Sequence, residues 1–410
     1  MSAPDFDRFA YDSQDFEDYH ALARGCDGWD RAARALDAFE YDDDDGALPG
    51  FDNLFATQCN ARGEALRRIE AMARAFVEDV LFGASDARAA DSIENAPATK
   101  SGSVGVSVGA AYEGDGTTFE RFWDVADVLA RGLRRSNCES SMTLRELYYV
   151  MNARSAPKRT SEKQLQATIR KLSLALSAPR CALGIIATSK GMVCGRCHIE
   201  TASGQRFDCT AEGWPISGDL FELDACSIHS DAAYVIVVEK DAVFNKLCAE
   251  RIYEYLPCVL ITAKGYPDVA TRKFLWLLET VLEGSGAKFF GLVDWNPHGA
   301  WILATYSSGS KRSSIDAAEF VVPLTWIGLR SEDLRDVAAD AMQDLTTRDA
   351  ALIRNALEGD DAHPLCSFRE ELRIMHDVGK KADIEALYAG RSDDFFLTDY
   401  VSKKIAAREV

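Results

Sequence analysis

Three short apolar runs, each followed by a helical pattern or a polar loop, constrain the fold of this chain more than any other feature. The runs cover residues 234–238, 258–263 and 288–293, and they are apolar almost throughout. Such runs are typical of strands that are buried on both faces. Because helical segments separate them, neighbouring strands are expected to lie parallel. The sequence therefore predicts an α/β domain built on a parallel sheet.

Polar side chains stand directly after two of the predicted strands. Glu239 follows the first run, Asp294 follows the third, and Asn296 lies two residues further on. Functional groups gather beyond the carboxyl ends of parallel strands, so these side chains are expected to converge. Carboxylate and amide oxygens suit Mg²⁺, with Mn²⁺ as a second candidate. The alternative is that these residues only cap helices and keep loops solvated.

A second informative stretch, residues 143–152, has the spacing of an amphipathic helix. Its apolar positions recur at helical intervals: Leu144, Leu147, Tyr148 and Met151. Tyr148 therefore belongs to the buried face, whereas Tyr149 points away from it, with Arg145 one turn earlier on the same side. A tyrosine and an arginine placed in this way can offer a nucleophile and hold a phosphate. The alternative is that the two tyrosines simply flank a helix boundary.

The segments around this helix have the order of a winged helix. A helix begins near residue 117, a third helix covers about 161–177, and two short apolar runs follow at 183–191 and 192–198. Three helices and a β-hairpin define the winged-helix (CAP-like) fold, in which the third helix enters the DNA major groove. The candidate DNA contacts are Lys163, Gln164 and Arg170 on the third helix and Lys190 at the hairpin turn.

Charge is distributed unevenly along the chain. The net charge is −19, which argues against a protein that coats nucleic acid. Acidic residues dominate residues 1–120, whereas basic residues dominate 131–206, the segment that contains Tyr149. Clustered positive charge is typical of phosphate binding, although a solvated basic surface has the same composition.

Length and composition bound the organisation of the chain. Its 410 residues suffice for two or three domains. We expect an acidic, poorly ordered segment at 1–50, a helix and a Gly/Ser-rich linker at 51–116, the winged-helix domain at 117–215 and the α/β domain at 216–410. No apolar run has the roughly 18 residues of a membrane span. The 11 scattered cysteines, without an export signal, indicate reduced thiols in an intracellular protein.

Four runs of sequence, in this order, resemble one family. They are Arg-Glu-Leu-Tyr-Tyr at 145–149, Val-Glu-Lys-Asp-Ala-Val-Phe at 238–244, Lys-Gly-Tyr-Pro-Asp-Val-Ala-Thr-Arg at 264–272 and Asp-Trp-Asn-Pro-His-Gly at 294–299. The chain looks like a eukaryotic relative of the topoisomerase VI A subunit, the meiotic transesterase that makes DNA double-strand breaks. The resemblance covers about residues 117–405 and implies a winged-helix domain followed by a Toprim domain.

The resemblance implies a role for each matching position. Tyr149 would attack the DNA phosphodiester and stay attached to the 5′ end, and Arg145 would stabilise the phosphate charge. A phenol has a pKa of about 10, so it needs positive charge or a base to become a nucleophile. Glu239, Asp294 and the residue at 296 would bind Mg²⁺ in the Toprim domain. Arg272, in the third run, would contact DNA.

One position departs from the family pattern. Many relatives carry an acid at the place of Asn296, and an amide oxygen adds no negative charge, so weaker metal binding is expected. The run Asp-Trp-Asn-Pro at 294–297 is similar to that of the second plant-type meiotic paralogue.

The family also implies partners and a location. The partners are double-stranded DNA, a second subunit in a homodimer or a heterodimer with a paralogue, and a topoisomerase VI B-like ATPase/transducer subunit. One chain's tyrosine would meet the other chain's metal site. The expected location is the nucleus, and no membrane is involved.

Two other functions stay open at this point. The chain can be a topoisomerase VI A subunit that relaxes DNA with an ATPase partner, or a non-cleaving DNA-binding scaffold. The run Cys-Gly-Arg-Cys-His at 194–198 has the form of a haem-attachment or zinc motif. Without an export signal or a second cysteine pair, we interpret it as structural.

Overall fold

The computed structural model describes residues 51–82, 116–135, 141–154, 160–309, 320–388 and 396–409. The predicted acidic segment at 1–50 and the Gly/Ser-rich linker lie outside the described residues. The α-helices of these residues are α1 (Phe51–Phe82), α2 (Gly116–Arg135), α3 (Leu144–Arg154), α4 (Glu162–Leu176), α5 (Leu220–Asp224), α6 (Asp241–Ala249), α7 (Val269–Val281), α8 (Pro297–Ser308), α9 (Thr347–Glu358), α10 (Arg369–Val378) and α11 (Phe396–Glu409).

The strands are short, and several join distant parts of the chain. They are β1 (Met142–Thr143), β2 (Ile185–Ile186), β3 (Met192–Gly195), β4 (His198–Glu200), β5 (Arg206–Asp208), β6 (Trp214–Pro215), β7 (Ser227–His229), β8 (Tyr234–Val238), β9 (Cys258–Thr262), β10 (Lys288–Leu292), β11 (Thr325–Trp326), β12 (Gln343–Asp344) and β13 (Lys380–Lys381).

A six-stranded sheet in the order β11-β10-β8-β9-β3-β6 organises the second half of the protein. Its four strands from β11 to β9 are parallel, as the three continuous apolar runs predict. The inner strands β8 and β9 are apolar along their length, and nearly all their side chains are buried. The predicted parallel sheet is therefore confirmed.

The first four helices enclose a separate, smaller hydrophobic cluster. Met72 of α1, Val125 of α2, Leu147 of α3 and Leu172 of α4 are each completely buried in it. A capping box at the start of α4 joins Ser161 and Gln164. This unit presents α3, with its tyrosine pair, beside α4.

The predicted hairpin between residues 183–191 and 192–198 is wrong, because these two runs do not pair with each other. β2 pairs with β1 in parallel, and β3 pairs with β9 in antiparallel orientation. Both runs carry buried side chains, so each is stabilised better in a core than on an exposed wing. The first hairpin after the helices is β4–β5, in a small sheet of order β5-β4-β7.

The same pairing changes the view of the domain boundary. β3 and β6 precede residue 216, yet they extend the six-stranded sheet. The α/β layer thus takes in a segment that the sequence pattern assigns to the preceding domain. Within the described ranges, no helix has the length and apolar character needed to cross a membrane.

Candidate active site

Tyr149 and Arg145 form an exposed pair on α3. The Tyr149 side chain is 56% exposed, and the Arg145 Nε donates a hydrogen bond to its hydroxyl oxygen at 3.3 Å. Tyr148 is half-buried and packs against the helical core. The structure thus places the two tyrosines on different sides of α3, in the way that the apolar spacing indicates. A cationic donor beside a phenolic oxygen can stabilise negative charge on that oxygen.

A side chain outside the predicted set fixes the end of α3. The Asn152 amide donates to the carbonyl oxygens of Tyr148 and Thr160, both at 3.1 Å, and its oxygen accepts from the Thr160 amide at 2.9 Å. Asn152 therefore ties the tyrosine helix to the residues that lead into α4. Its place one turn after Tyr149 was the only sequence signal for it.

The candidate DNA contacts fall into different environments. Lys163 and Arg170 are exposed on α4, where a ligand can reach them. Gln164 is also exposed, but its side chain accepts from the Ser161 backbone amide at 3.0 Å in the capping box. Lys190 is half-buried, and its ammonium donates to the Tyr266 carbonyl oxygen at 2.9 Å. Burial lowers the pKa of Lys190.

Arg272 lies in the protein interior instead of on a surface that DNA could reach. Its side chain is 1% exposed, and one guanidinium nitrogen lies 3.4 Å from the Phe320 carbonyl oxygen. Residues 270–275 of α7 are all buried, so a basic residue there faces protein whichever way it points. Arg272 is therefore not placed to contact DNA.

Glu239 and Asp294 meet at the carboxyl edge of the large sheet. Their strands, β8 and β10, are neighbours, and the last paired residues are Val238 and Leu292. The Asp294 amide donates to Glu239 Oε2 at 3.0 Å, and Asp294 is 2% exposed. Burial raises the pKa of both carboxyls, and the charge of Asp294 raises the pKa of Glu239 further. Two desolvated carboxylates whose charges repel each other are stabilised by a cation.

Asn296 caps the helix that follows this edge. Its Oδ1 accepts from the Gly299 amide at 2.8 Å, and Pro297 occupies the first turn of α8. The capping interpretation therefore describes Asn296, but a carbonyl oxygen has a second lone pair that can bind a metal. Its role as a ligand stays a prediction.

The residues present fit a hard divalent cation that keeps several waters. Glu239 and Asp294 supply carboxylates at the ends of neighbouring strands, and Mg²⁺ is commonly bound through one or two carboxylates. Among the described residues, no group of three or more His, Cys, Asp or Glu side chains is arranged to hold a metal. This edge therefore offers two carboxylates to such a cation, with the Asn296 oxygen as a predicted third ligand.

Three further charged residues surround Asp294. The Lys240 ammonium lies 3.1 Å from Asp294 Oδ2, 2.7 Å from Glu385 Oε2 and 3.5 Å from Asp383 Oδ2. Lys240 directly follows Glu239 in the sequence, so its position alone predicts that it lies near the candidate metal site. Asp383 and Glu385 lie at the start of a short 3₁₀ helix (Ile384–Leu387) far along the chain, which is too short for a periodic pattern to mark them.

A buried carboxylate holds the loop that carries Asp294. Glu371 of α10 is 5% exposed and accepts from the Trp295 indole nitrogen at 2.8 Å. It also accepts from Arg330 Nε at 2.9 Å and from the Ser331 amide at 3.0 Å. The backbones of Trp295 and Ala382 exchange two further hydrogen bonds. The position of Asp294 therefore depends on three distant segments.

The cysteines of the 194–198 run are buried free thiols at the junction of β3 and β4. Cys194 is 5% exposed and Cys197 is fully buried, whereas His198 is exposed. Their placement in the sheet core agrees with the structural interpretation.

Comparison with known proteins gives the family. The profile of the Toprim domain of the topoisomerase 6 A subunits and Spo11 proteins matches residues 234–405. The chain is 38% identical over 297 residues to the meiotic recombination protein SPO11-2 of Oryza sativa subsp. japonica, and the match covers 71% of this chain and 74% of the relative. The Arabidopsis thaliana SPO11-2 protein is 35% identical over 290 residues, or 70% of this chain and 73% of that protein.

The A subunit of DNA topoisomerase 6 from Arabidopsis thaliana is also similar, with 35% identity over 230 residues, or 55% of this chain and 53% of that protein. The resemblance seen in the four sequence runs, including the similarity to the second plant-type paralogue, is confirmed. The α/β half that carries Glu239 and Asp294 is a Toprim domain. The chain belongs to the family of Spo11 proteins and topoisomerase 6 A subunits.

Proposed function

We propose that this protein is a DNA-cleaving transesterase that forms double-strand breaks and so initiates meiotic recombination. The observation that carries the proposal is the exposed Tyr149 side chain, whose hydroxyl accepts a hydrogen bond from Arg145 on α3. The names of the relatives, meiotic recombination proteins and a DNA topoisomerase 6 A subunit, support this class of reaction. The proposed class is type IIB topoisomerase-like.

In the proposed reaction, the Tyr149 oxygen attacks a backbone phosphorus of double-stranded DNA. The bond from phosphorus to the 3′ oxygen breaks, and the phenolic proton is lost while the leaving 3′ oxygen gains one. The product is a 5′-phosphotyrosyl bond and a free 3′ hydroxyl. One ester replaces another, so the step needs no ATP. The Arg145 guanidinium stabilises charge on the phenolic and phosphoryl oxygens.

A divalent cation is part of the proposal. Toprim domains support metal-dependent chemistry, and Glu239, Asp294 and the Asn296 oxygen would hold Mg²⁺ or, as a second candidate, Mn²⁺. The cation would supply positive charge beside the reacting phosphate. The protein itself supplies the two carboxylates. Burial raises the pKa of both groups, so a bound cation would favour their charged forms.

We further propose that the helical unit, which lacks the predicted wing, binds DNA through α4. Lys163 and Arg170 lie exposed on α4, the helix beside Tyr149, and can bind phosphates or enter a groove. Gln164 and Lys190 are secondary candidates because their polar groups already have protein partners. The basic segment at 131–206 supports the same surface.

The proposed assembly is a dimer, either of this chain alone or with a paralogue, together with a topoisomerase VI B-like protein. The Tyr149 of one protomer would act beside Glu239 and Asp294 of the other. Meiotic DNA cleavage implies a nuclear location.

The test is to trap covalent protein–DNA adducts with the purified complex and map the linked DNA end. Tyr149→Phe should abolish 5′-linked adducts, because the nucleophilic oxygen is gone. Tyr148→Phe is the matched control and should retain them, because Tyr148 belongs to the packed face. Equal adduct yields from wild type and Tyr149→Phe would disprove the assignment.

A second candidate function keeps the chemistry but changes the outcome. The similarity to a DNA topoisomerase 6 A subunit supports reversible cleavage that relaxes DNA. Supercoil relaxation in the presence of ATP and a B-type partner protein would favour it. A non-cleaving scaffold is disfavoured because Tyr149, Arg145, Glu239 and Asp294 are all present.

A further inference from the structure

Lys240 occupies an unusual position for a lysine beside a proposed metal site. Its ammonium contacts carboxylates on both sides. Asp294 lies 3.1 Å away on the sheet edge. Glu385, at 2.7 Å, and Asp383, at 3.5 Å, lie on residues 380–385, here called the C-terminal segment. The side chain is 28% exposed, so water screens these contacts only in part. The lysine thus bridges a proposed metal ligand and two acids outside the predicted ligand set.

The C-terminal acids are held firmly against the sheet edge. The Ile384 amide, between the two acids, donates to Asp294 Oδ1 at 2.9 Å. The neighbouring Ala382 exchanges backbone hydrogen bonds with Trp295 at 3.0 and 3.1 Å. Asp383 and Glu385 therefore form a fixed seat for an ammonium group, placed next to Asp294.

The charges around the seat favour a cation. Burial lowers the pKa of Lys240, but Asp294 and Glu385 together outweigh burial and raise it above the ordinary value. A lysine ammonium is charged at neutral pH because its ordinary pKa is about 10.4, so Lys240 offsets part of the negative charge of Asp294, Asp383 and Glu385.

We propose that Lys240 is a positioning residue that acts as an internal counter-ion for Asp294 and competes with the divalent cation, while Asp383 and Glu385 retain its ammonium when the cation binds. The inference rests on the proposed metal site of the function above. It assigns to the C-terminal segment a control over metal affinity, since that segment decides how strongly Lys240 is drawn away from Asp294.

Two substitutions are expected to shift metal affinity in opposite directions. Lys240→Met removes the competing charge at similar length, so the cation should bind about tenfold more tightly. Glu385→Gln removes the strongest partner of the ammonium on the seat, so Lys240 should shift toward Asp294 and binding should weaken several-fold. A purely structural role of both residues would weaken binding in both variants.

The experiment measures Mn²⁺ binding to the purified full-length complex by electron paramagnetic resonance of the free ion. Thermal unfolding in EDTA is measured in parallel, where Lys240→Met should lower the Tm because the carboxylates lose their counter-ion. Lys380→Met is the matched control, since Lys380 lies on the same segment but pairs with Asp344 at 2.7 Å. It should leave Mn²⁺ affinity unchanged.

The double variant Lys240→Met/Glu385→Gln completes the test. If Glu385 acts through Lys240, its substitution should weaken binding much less once Lys240 is absent than in the wild-type background. Equal effects of Glu385→Gln in both backgrounds would overturn the proposed coupling.

Other results contradict the inference in recognisable ways. Weaker or unchanged Mn²⁺ binding by Lys240→Met overturns it, as does a loss of affinity for a DNA duplex in EDTA without a change in Mn²⁺ affinity. A wild-type protein that binds no Mn²⁺ contradicts the proposed metal site itself. Normal wild-type binding that Glu239→Gln abolishes, but that Lys240→Met does not strengthen, contradicts only the role of Lys240.

Discussion

At the residue scale, burial separates the roles of two identical neighbours, Tyr148 and Tyr149. Tyr148 is half-buried and Tyr149 is 56% exposed, because consecutive residues on a helix point about 100° apart. This separation followed from apolar spacing alone. Glu239 and Asp294 are the opposite case, since two acids that are far apart in sequence share one desolvated environment.

The first prediction concerns Glu239 without metal. Its ordinary pKa is 4.5, and the folded protein raises it, so the charged form is penalised in the folded state. Stability should therefore fall as pH rises through the ordinary pKa toward the raised one, and stay low above it. Glu239→Gln removes the charge and should be more stable than wild type in EDTA near pH 8, by about 1 kcal/mol.

The measurement is the Tm of both proteins in EDTA at about pH 5 and about pH 8. The two should be similar at the lower pH, where the Glu239 carboxyl is protonated in the folded state. Mg²⁺ should raise the Tm of the wild type and leave the variant nearly unchanged. A variant that is less stable than wild type at the higher pH would show that the carboxylate is not penalised.

At the element scale, the strength of the sequence signal followed the regularity of each element. The strands β8, β9 and β10 were predictable because continuous apolar runs separated by helices admit few arrangements. The runs around β2 and β3 are interrupted by polar residues such as Lys190 and Arg196, and strand pairing depends on distant partners that local sequence does not encode. β3 pairs with β9 and not with β2, so the predicted wing does not form.

The site was predictable in the same uneven way. Glu239 and Asp294 stand at strand ends, a position that sequence marks. Asp383 and Glu385 reach the same edge from a short 3₁₀ helix and its N-cap, which only tertiary structure brings there. Arg272 failed as a DNA contact because charge does not reveal orientation, and its part of α7 is buried all round.

The second prediction concerns α10, the helix that braces the Asp294 loop. Glu371→Ala should destabilise the protein by about 3 kcal/mol, because the Arg330 guanidinium and the Trp295 indole N–H lose a buried acceptor. It should also reduce Mn²⁺ affinity, since Trp295 adjoins Asp294. Chemical denaturation provides the free energy of unfolding.

Glu370→Ala is the control for this change. Glu370 is the preceding residue, is 76% exposed and forms an ion pair with Arg373 three residues later on the same helix. Because an exposed pair of this kind contributes little, its loss should change stability by less than about 0.5 kcal/mol. Similar effects of the two substitutions would show that Glu371 does not brace the loop.

At the scale of the whole molecule, the proposed dimer predicts complementation between two inactive protomers. A mixed dimer of Tyr149→Phe and Glu239→Gln chains has one intact composite site, formed by the tyrosine of one chain and the metal ligands of the other. It should therefore nick one strand, whereas each variant alone should leave DNA intact. Strand-specific denaturing gels distinguish nicks from double-strand breaks. The control is a dimer of one wild-type chain and one chain that carries both substitutions, which has no intact composite site and should leave DNA intact.

The absence of nicks from a verified mixed dimer would mean that each active site is built within one chain. Nicks at the wild-type site with 5′-linked protein would support the composite arrangement.

The pairing of β3 with the Toprim sheet has a mechanical consequence. Along the chain, residues 187–191 connect the helical unit, which ends at β2, to that sheet. This connection is clamped, because the Ala187 amide donates to the Gly218 carbonyl oxygen at 3.3 Å and the Ser189 hydroxyl to that of Ile216 at 2.7 Å. A Cβ at Gly191 would also collide with Thr271. A connector that is so short and so well anchored should be rigid and should not act as a hinge. We therefore expect Tyr149 to reach a metal by movement of whole protomers past one another.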